Sequence, residues 1–302
     1  MNEPCTPRWT AVALTLGVSL GSAGLAAPPE APPPTGPEAR MFTASDGYER
    51  YMGRWSRLLA QAHVAFAGVE DGQRLLDVGT GTGALAGALA AATTTGDIVG
   101  IDPSEAFIAA ARKRARSPRE RYEVGDAQAL RFPDASFDQA LALLVMNFVP
   151  DHLKAARELK RVTRPGGTVS ACVWDYDAGM ELLRLFWDQA VALDPATESR
   201  DERHMKLSLR GQLGQLWREA GLVEVREQPL VVDTAFQGFD DYWQPFLAGV
   251  GPGGAHVASL SVERRQQLEA RLRTRLLGVR PDGPFTLKAR AWCVRGQVPG
   301  PR

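Results

Sequence analysis

Short apolar runs alternate with longer amphipathic stretches between residues 75 and 170. Four of the runs are predicted strands, at residues 75–78, 97–102, 121–127 and 137–144, and a fifth strand is predicted after residue 164. Between these runs, apolar residues recur every three or four positions, as over residues 152–162, which predicts helices. A regular alternation of strands and helices predicts an α/β domain with a parallel sheet.

The flanking parts of the chain show the same two periodicities. The stretches with helical spacing are residues 45–67, 179–193 and 207–220, and those that alternate like strands are residues 224–233 and 290–296. Tyr48, Met52 and Trp55 share one face of the first helix, so they either lie across a ligand pocket or simply pack on the sheet. Residues 176–205 and 236–284 are left over as insertions.

The first predicted strand runs directly into a glycine-rich segment. Gly79, Gly81 and Gly83 stand at alternate positions, and an apolar helix-forming run follows them. Glycine suits a tight strand-to-helix turn because it adopts positive φ angles and lets a ligand approach the backbone. Asp77 precedes the loop, and the spacing differs from the G-x-G-x-x-G of dinucleotide-binding folds. The loop predicts a nucleotide-like ligand, and the alternative is a plain turn that binds nothing.

Acidic residues end the next two predicted strands. Asp102 ends the second strand, where its carboxylate can accept hydrogen bonds from both hydroxyls of a ribose. Asp126 ends the third strand, where it can accept the amino group of an adenine while the backbone of Ala127 meets the ring nitrogens. The carboxyl ends of parallel strands lie at the same edge of a sheet, so these groups together predict one nucleoside site.

Composition removes several classes of function. Of 302 residues, 44% are hydrophobic and 23% are charged, which is typical of a globular protein. Lys+Arg and Asp+Glu both number 35, so no basic excess indicates a nucleic-acid partner. Cys5, Cys172 and Cys293 are scattered, without metal-ligand spacing or a disulfide framework. We therefore expect no metal site, and we expect Cys172 and Cys293 to be small buried apolar residues.

Residues 1–40 differ from the rest of the chain. An apolar run at residues 11–27 is similar to the central region of a secretory signal, and a proline-rich stretch that we expect to be disordered follows it. Glu3 and the shortness of the run argue against a signal and against a stable membrane span. The two interpretations are a signal-like leader or a non-native extension with translation starting at Met41, and we favour the second. The folded domain is then predicted over residues 41–300.

These motifs resemble those of one enzyme family. Residues 42–296 resemble the ubiquinone/menaquinone-biosynthesis-type class I S-adenosylmethionine-dependent methyltransferases, also described as methyltransferase type 11 domains. Besides the glycine loop, the segments that carry the resemblance are residues 48–57, 146–151, 174–176 and 241–243. The resemblance implies a doubly wound, Rossmann-like, seven-stranded sheet that is mostly parallel, with an antiparallel last strand and the insertions forming a helical cap. It also implies S-adenosylmethionine as the methyl donor.

The resemblance also implies where this cofactor binds. The glycine loop would line the methionine end, Asp102 the ribose, and Asp126 with Ala127 the adenine. Thr80 is a departure, because many relatives have Cys there, and the turn should tolerate the change. The full set of predicted cofactor-binding residues is Asp77, Gly79, Thr80, Gly81, Gly83, Asp102, Pro103, Asp126, Ala127 and Leu144.

Methyl transfer is an in-line displacement at an activated carbon, so positioning should supply most of the rate enhancement. Effective molarities of about 10⁵–10⁸ M are possible for such positioning. A general base is needed only for a hydroxyl or an acidic carbon acceptor. The candidates for a base follow the fourth and fifth strands, and they are Asp151, His152, Asp175 and Tyr176. Asp151 is equally suited to be the N-cap of its helix.

The expected methyl acceptor is a small molecule. Aromatic residues in both insertions favour a planar or apolar acceptor, unless these rings form the core of the cap instead. The residues after the fourth strand, Val145 to Phe148, lack the Asn/Asp-Pro-Pro-Tyr/Phe block that methylation of nucleobase amines would favour. The sequence therefore predicts O-, N- or C-methylation of a small molecule, without choosing between them.

Two alternative functions stay open. An NAD(P)-dependent oxidoreductase shares the arrangement of strand and acid, although the G-x-x-G spacing is missing. A non-catalytic protein that binds S-adenosylmethionine would preserve every cofactor motif. We expect a cytoplasmic location, because S-adenosylmethionine is made and kept there, and export only if residues 1–27 are a working signal peptide.

Overall fold

A computed structural model describes residues 49–300 of the chain. The predictions for residues 1–40, for Met41 as the start and for Tyr48 lie outside the described residues. At the beginning of the described range, a π-helical turn, Glu49–Gly53, leads directly into an α-helix. The predicted helix over residues 45–67 is therefore present from residue 49 onward, with a widened first turn.

Strands and helices alternate through the described range. The strands are β1 Leu75–Val78, β2 Ile98–Asp102, β3 Glu120–Val124, β4 Phe137–Leu143, β5 Thr163–Trp174, β6 Val223–Phe236 and β7 Phe285–Gln297. The α-helices are α1 Arg54–Ala67, α2 Ala84–Ala92, α3 Glu105–Arg114, α4 His152–Val162, α5 Glu181–Leu193, α6 Gln212–Glu219, α7 Phe239–Leu247, α8 Gly251–Ser259 and α9 Val262–Leu277.

The strands form one seven-stranded sheet in the order β3-β2-β1-β4-β5-β7-β6. Strands β1 to β5 pair in parallel, and β7 runs antiparallel to both β5 and β6. The predicted doubly wound, mostly parallel sheet with an antiparallel last strand is confirmed. The strand order reverses between β1 and β4, which is the place where open α/β sheets bind their ligands.

Burial follows the position of each strand in the sheet. Every residue of β1 and β2 is buried, as expected for central parallel strands that are covered on both faces. Strand β6 lies at one edge, where exposed and less exposed residues alternate. Both β6 and β7 are longer than the predicted residues 224–233 and 290–296, because the two strands pair with each other far beyond their most apolar parts.

The structure overturns the prediction for the cysteines. Cys172 in β5 lies directly opposite Cys293 in β7, and the two are joined by a disulfide with a Cα–Cα distance of 4.1 Å. Both residues are fully buried, as predicted, but they are not free thiols. They stand 121 residues apart in the sequence, so spacing alone gave no sign of the bond. The antiparallel pairing of β5 with β7 brings them together.

The predicted helix over residues 207–220 is shorter in the structure. It begins only at Gln212, because Gly211 adopts a φ of 90° that interrupts the helical backbone. It ends as predicted before Gly221, which has a φ of 80°. Among the helices of the described range, none is long and apolar enough to cross a membrane.

The two insertions pack against each other through aromatic rings. Phe186 in α5 stacks on Phe246 in α7 with a centroid distance of 4.4 Å. The Tyr242 hydroxyl donates a hydrogen bond to the Leu182 carbonyl at 3.0 Å, which links the same two helices. These rings are fully buried. They form the shared core of the cap, the arrangement given above as the alternative to a pocket lining.

Candidate functional site

The glycine loop has the backbone that its residue types predict. Gly79, Gly81 and Gly83 have φ angles of 72°, 53° and 88°, in the left-handed region that other residues rarely adopt. A Cβ on Gly79 would lie 2.3 Å from a methyl group of Val145, whereas a Cβ on Gly81 would have no atom within 4 Å. The loop is therefore packed tightly at its start and open at its middle glycine.

The Asp77 carboxylate fixes the position of the glycine loop. Its Oδ2 atom accepts hydrogen bonds from the Thr80 hydroxyl at 2.6 Å and from the Ala86 amide at 3.0 Å, so one carboxylate ties β1 to the loop and to α2. The Thr80 hydroxyl is a better hydrogen-bond donor than a cysteine thiol would be at this position. Asp77 is fully buried, and this burial raises its pKa to about 7.

The pH dependence of the free energy of unfolding should reveal the raised pKa of Asp77. Between pH 4 and 7 the folded protein holds a proton that the unfolded chain has released, so this group lowers the free energy of unfolding as pH rises. Asp77→Asn keeps an oxygen for both hydrogen bonds and cannot ionise. We measure the free energy of unfolding in urea at several pH values. We expect this free energy to fall with pH less steeply in Asp77→Asn than in the wild type, by up to about 1.4 kcal/mol per pH unit.

The matched control for Asp77→Asn is Asp97→Asn, an exposed aspartate just before β2. This variant should keep the pH dependence of the wild type. An identical pH dependence in Asp77→Asn and the wild type would contradict the assigned shift.

Asp102 ends β2 beside the open part of the loop. Its Oδ2 atom accepts the Gly81 amide at 3.0 Å, and its Oδ1 atom accepts the Ser104 amide at 2.9 Å. The side chain is largely buried, which raises its pKa to about 6. Because a carboxylate has about four acceptor positions, Asp102 can still accept two further hydrogen bonds. Pro103 follows it and is exposed at the start of the β2–α3 connection.

The end of β3 brings Asp126 to the same edge of the sheet. Asp126 is exposed and accepts the Gln128 amide at 2.8 Å, while Ala127 is buried. The Gln128 side chain in turn accepts the Asp151 amide at 3.1 Å, next to the start of α4. This chain of hydrogen bonds connects the turn after β3 to the turn after β4.

The turn after β4 contains a strained residue and an unpaired amide. Leu144 has a φ of 59°, a left-handed conformation that is costly for a side chain of this size. Asn147 is buried, and neither its Oδ1 nor its Nδ2 atom has a hydrogen-bond partner among the described residues. Leaving such a group unpaired costs about 1–3 kcal/mol, so Asn147 is a candidate ligand contact. Sequence reasoning did not select Asn147, because only its burial distinguishes it.

The two candidate aspartates both have structural partners. Asp151 is exposed and caps α4, where its side chain accepts the Lys154 amide at 2.9 Å. Asp175 is buried and forms an ion pair with Arg290 at 2.6 Å, which joins the end of β5 to β7. These contacts account for both carboxylates without a role as a base.

The other two candidates lie near the same turns. His152 is half-buried in the first turn of α4, and burial is the main cause that lowers its pKa. Tyr176 is buried just beyond β5, where the first insertion leaves the sheet. The structure thus places both residues on the carboxyl-terminal side of the sheet.

Glu49 joins the N-terminal turn to the glycine loop. Its carboxylate accepts a short hydrogen bond from the Thr82 hydroxyl and forms ion pairs with Arg57 at 2.6 Å and Arg114 at 3.0 Å. The segment before α1 is therefore held over the loop. Sequence reasoning left open whether this segment lies across the pocket or packs on the sheet, and it missed Glu49, whose role depends on partners distant in sequence.

The ends of four neighbouring strands thus form one site. The amides of Gly79 and Thr80 both donate to the Ile101 carbonyl at 2.8 Å, and the Gly125 amide donates to the Asp102 carbonyl at 3.1 Å. These bonds fix the loop, the acid of β2 and the turn after β3 relative to one another. An open glycine backbone beside a buried carboxylate fits a nucleoside with free hydroxyls. Within residues 49–300, no group of three or more His, Cys, Asp or Glu residues is placed to hold a metal ion.

Comparison with known proteins found one matching domain family and several similar proteins. Residues 76–171 match the model of a methyltransferase domain. An uncharacterized protein of Mycobacterium tuberculosis (strain ATCC 25618 / H37Rv) is 38% identical over 217 residues, which cover 68% of this chain and 76% of that protein. The demethylmenaquinone methyltransferase of Staphylococcus aureus (strain MRSA252) is 40% identical over 104 residues, which cover 34% of this chain and 43% of that enzyme.

Solved structures share the fold at low sequence identity. The YcgJ protein of Bacillus subtilis aligns with a TM-score of 0.52 and 20% identity, covering 82% of this chain and 100% of that one. A Haemonchus contortus phosphoethanolamine N-methyltransferase, solved with S-adenosylhomocysteine, aligns with a TM-score of 0.53 and 20% identity, covering 85% of this chain and 57% of that one. At this level of identity the likeness concerns the fold alone.

Proposed function

Because the chain belongs to the class I S-adenosylmethionine-dependent methyltransferases, we propose that the ends of β1 to β4 hold the cofactor and that the cap binds a small apolar or aromatic methyl acceptor. When bound, S-adenosylmethionine supplies a methyl group on a positively charged sulfur. The chain contributes binding and alignment, which account for most of the rate enhancement in such a transfer.

Each part of the proposed cofactor site has its own task. The backbone of Gly79, Gly81 and Gly83 lines the methionine end, Asp102 accepts the ribose hydroxyls, and Asp126 with Ala127 meets the adenine. The remaining proposed residues act around these contacts, with Asp77 and Thr80 shaping the loop and Pro103 and Leu144 bordering the pocket. We add Asn147 to this set because its buried amide has no partner among the described residues.

The observation that carries this proposal is the link between Asp102 and the glycine loop. One buried carboxylate bonds both the Gly81 amide and the Ser104 amide, so the group that would bind the ribose also fixes the loop that would bind the methionine end. A site built in this way is organised before the ligand arrives, which reduces the entropic cost of binding.

On the acceptor side, neither Asp151 nor Asp175 is proposed as a general base. Asp151 caps a helix and Asp175 is paired with Arg290, whereas His152 and Tyr176 stay as candidates that border the acceptor. The Staphylococcus aureus relative is a demethylmenaquinone methyltransferase, and its named acceptor contains an aromatic ring fused to a quinone. This supports an aromatic acceptor here, bound by the two insertions at residues 176–205 and 236–284. The domain that contains these insertions is proposed to span residues 41–300.

The proposed location is the cytoplasm, where S-adenosylmethionine is made. The Cys172–Cys293 disulfide favours the alternative of export, because disulfides persist mainly in oxidising compartments. Fractionation of cells, followed by mass measurement of the chain, distinguishes the two, since export predicts an N-terminus near residue 27.

Asp102→Ala tests the cofactor proposal. Hydrogen bonds to a charged group contribute about 1.5–3 kcal/mol, so we expect the affinity for S-adenosylhomocysteine, measured by titration calorimetry, to fall about 10- to 100-fold. Asp97→Ala, just before the opposite end of β2, is the control and should bind like the wild type. Unchanged affinity in Asp102→Ala, or binding of NADH by the wild type instead, would contradict the proposal.

A further inference from the structure

A carboxylate and two guanidinium groups meet at the glycine loop. The Glu49 carboxylate accepts a hydrogen bond from the Thr82 hydroxyl and pairs with Arg57 at 2.6 Å and with Arg114 at 3.0 Å. We call Glu49, Thr82, Arg57 and Arg114 the Glu49 cluster. Its contacts bring four segments of the chain to one point, namely the N-terminal turn, the glycine loop, the first turn of α1 and the end of α3.

The charged groups of this cluster are accessible to a ligand. The side chains of Arg57 and Arg114 are 57% and 41% exposed, and that of Glu49 is 17% exposed. A carboxylate has about four acceptor positions. Thr82 and Arg114 use two of them on Oε1 of Glu49, and Arg57 uses one on Oε2. Among the described residues, the contacts of the cluster therefore leave capacity both to accept and to donate further hydrogen bonds.

The Glu49 cluster lies next to the open part of the loop. Gly81 directly precedes Thr82, and a Cβ on Gly81 would have no atom within 4 Å. The Gly81 amide donates to Asp102 at 3.0 Å, while the Thr82 hydroxyl donates to Glu49. Consecutive Cα atoms are only about 3.8 Å apart. A ligand whose ribose lies at Asp102 and whose chain passes over Gly81 therefore reaches the Glu49 carboxylate.

Glu49 differs from the two aspartates that also bond this loop. Asp77 is fully buried, and its Oδ2 atom is used by Thr80 and by the Ala86 amide. Asp102 is largely buried at the proposed ribose position. Glu49 is instead partly exposed and comes from a separate segment of the chain. Ion pairs between exposed side chains contribute little to stability, so the fold gains little from gathering these charges at the loop.

We propose that Glu49 binds the ammonium group of S-adenosylmethionine, with Arg57 and Arg114 beside the carboxylate of the same amino-acid end. This inference rests on the proposed function. The amino-acid end carries one positive and one negative group on a single carbon. An ammonium group donates three hydrogen bonds and accepts none, so a carboxylate matches it, whereas guanidinium groups match a carboxylate. Glu49 is then a specificity-determining residue, which distinguishes the complete cofactor from nucleosides that lack the ammonium group.

Two competing explanations give Glu49 another role. In the first, Glu49 only fastens the N-terminal turn to the loop. In the second, its carboxylate occupies the place of the cofactor carboxylate. Glu49→Gln separates the three roles, because glutamine keeps an oxygen for the Thr82 hydroxyl but carries no charge. Fastening alone predicts that the affinities for ligands with and without the ammonium group change alike, and competition predicts that the affinity for S-adenosylhomocysteine rises.

The experiment measures binding to the full chain by titration calorimetry. The probes are S-adenosylhomocysteine and its deaminated analogue, which keeps the carboxylate and has hydrogen in place of the ammonium group. We expect the wild type to prefer S-adenosylhomocysteine at least about tenfold and Glu49→Gln to prefer it less than about threefold. Thr82→Val removes the hydroxyl that positions Glu49 and should reduce the preference by about threefold. Glu263→Gln, at an exposed glutamate on α9, should keep the wild-type preference.

The titration of the wild type with S-adenosylhomocysteine comes first and separates the two levels of the proposal. If this ligand does not bind, the proposed function itself fails. If it binds but is not preferred over the deaminated analogue, the role of Glu49 is wrong and the cofactor site stands. The same holds if Glu49→Gln keeps the full preference or binds S-adenosylhomocysteine more tightly than the wild type. Should Glu49→Gln not fold, the preference of Thr82→Val decides the outcome.

Discussion

Gly79→Ala should reduce the affinity for S-adenosylhomocysteine by at least about 100-fold. Alanine at a φ of 72° costs about 1–2 kcal/mol. Its Cβ would also lie 2.3 Å from a methyl group and 2.6 Å from the Cβ of Val145, a stiff side chain that cannot turn away. The loop must therefore shift, and the shift moves the backbone that lines the cofactor. Titration calorimetry measures the loss, and circular dichroism shows whether the fold persists.

Two further variants make this result specific to the start of the loop. Gly87→Ala adds the same methyl group within α2, where no atom lies within 4 Å of the new Cβ, so it should keep the affinity and stabilise the helix by about 0.5–1 kcal/mol. Gly79→Ala combined with Val145→Ala removes the clash and should recover part of the lost affinity. Wild-type binding by Gly79→Ala would show that the cofactor does not depend on this loop.

Reduction of the Cys172–Cys293 disulfide should lower the free energy of unfolding by about 2–4 kcal/mol. The bond joins residues 121 positions apart, so it restricts a large loop of the unfolded chain. It also joins β5 to β7 immediately before β5 enters the cap, where Asp175 and Arg290 make their ion pair. Urea unfolding with and without a reductant measures the difference.

The control for the disulfide prediction is the double variant Cys172→Ala, Cys293→Ala. Its stability should not respond to the reductant, because neither described cysteine remains. Equal stability of the oxidised and reduced wild type would contradict the expected contribution of the bond. Detection of two free thiols at these positions in unreduced, denatured protein would contradict the bond itself.

The strands and the cofactor motif were predictable because their signals are local. The apolar runs of β1, β2 and β4 fix buried strands, and the three glycines fix a turn that only positive φ angles allow. Asp102 and Asp126 follow from the same logic, since Asp102 ends β2 and Asp126 lies just beyond β3, at strand ends whose positions in the sheet were already implied. The Asp77 contacts with Thr80 and Ala86 also lie within one short segment.

The features that the sequence did not reveal depend on contacts between distant segments. The disulfide needs the pairing of β5 with β7, and the Glu49 contacts need the N-terminal turn to reach the glycine loop and the end of α3. Asn147 is an ordinary polar residue in the sequence. It becomes a candidate only when folding buries it without partners among the described residues, a property that no local pattern encodes.

The most direct test of the central claim is a crystal structure of the full chain with S-adenosylhomocysteine. The account predicts that the ribose hydroxyls lie within hydrogen-bond distance of the Asp102 carboxylate, with the adenine beside Asp126 and Ala127 and the amino-acid end against Gly79 to Gly83. A ligand bound elsewhere, or a ribose turned away from Asp102, would contradict the account.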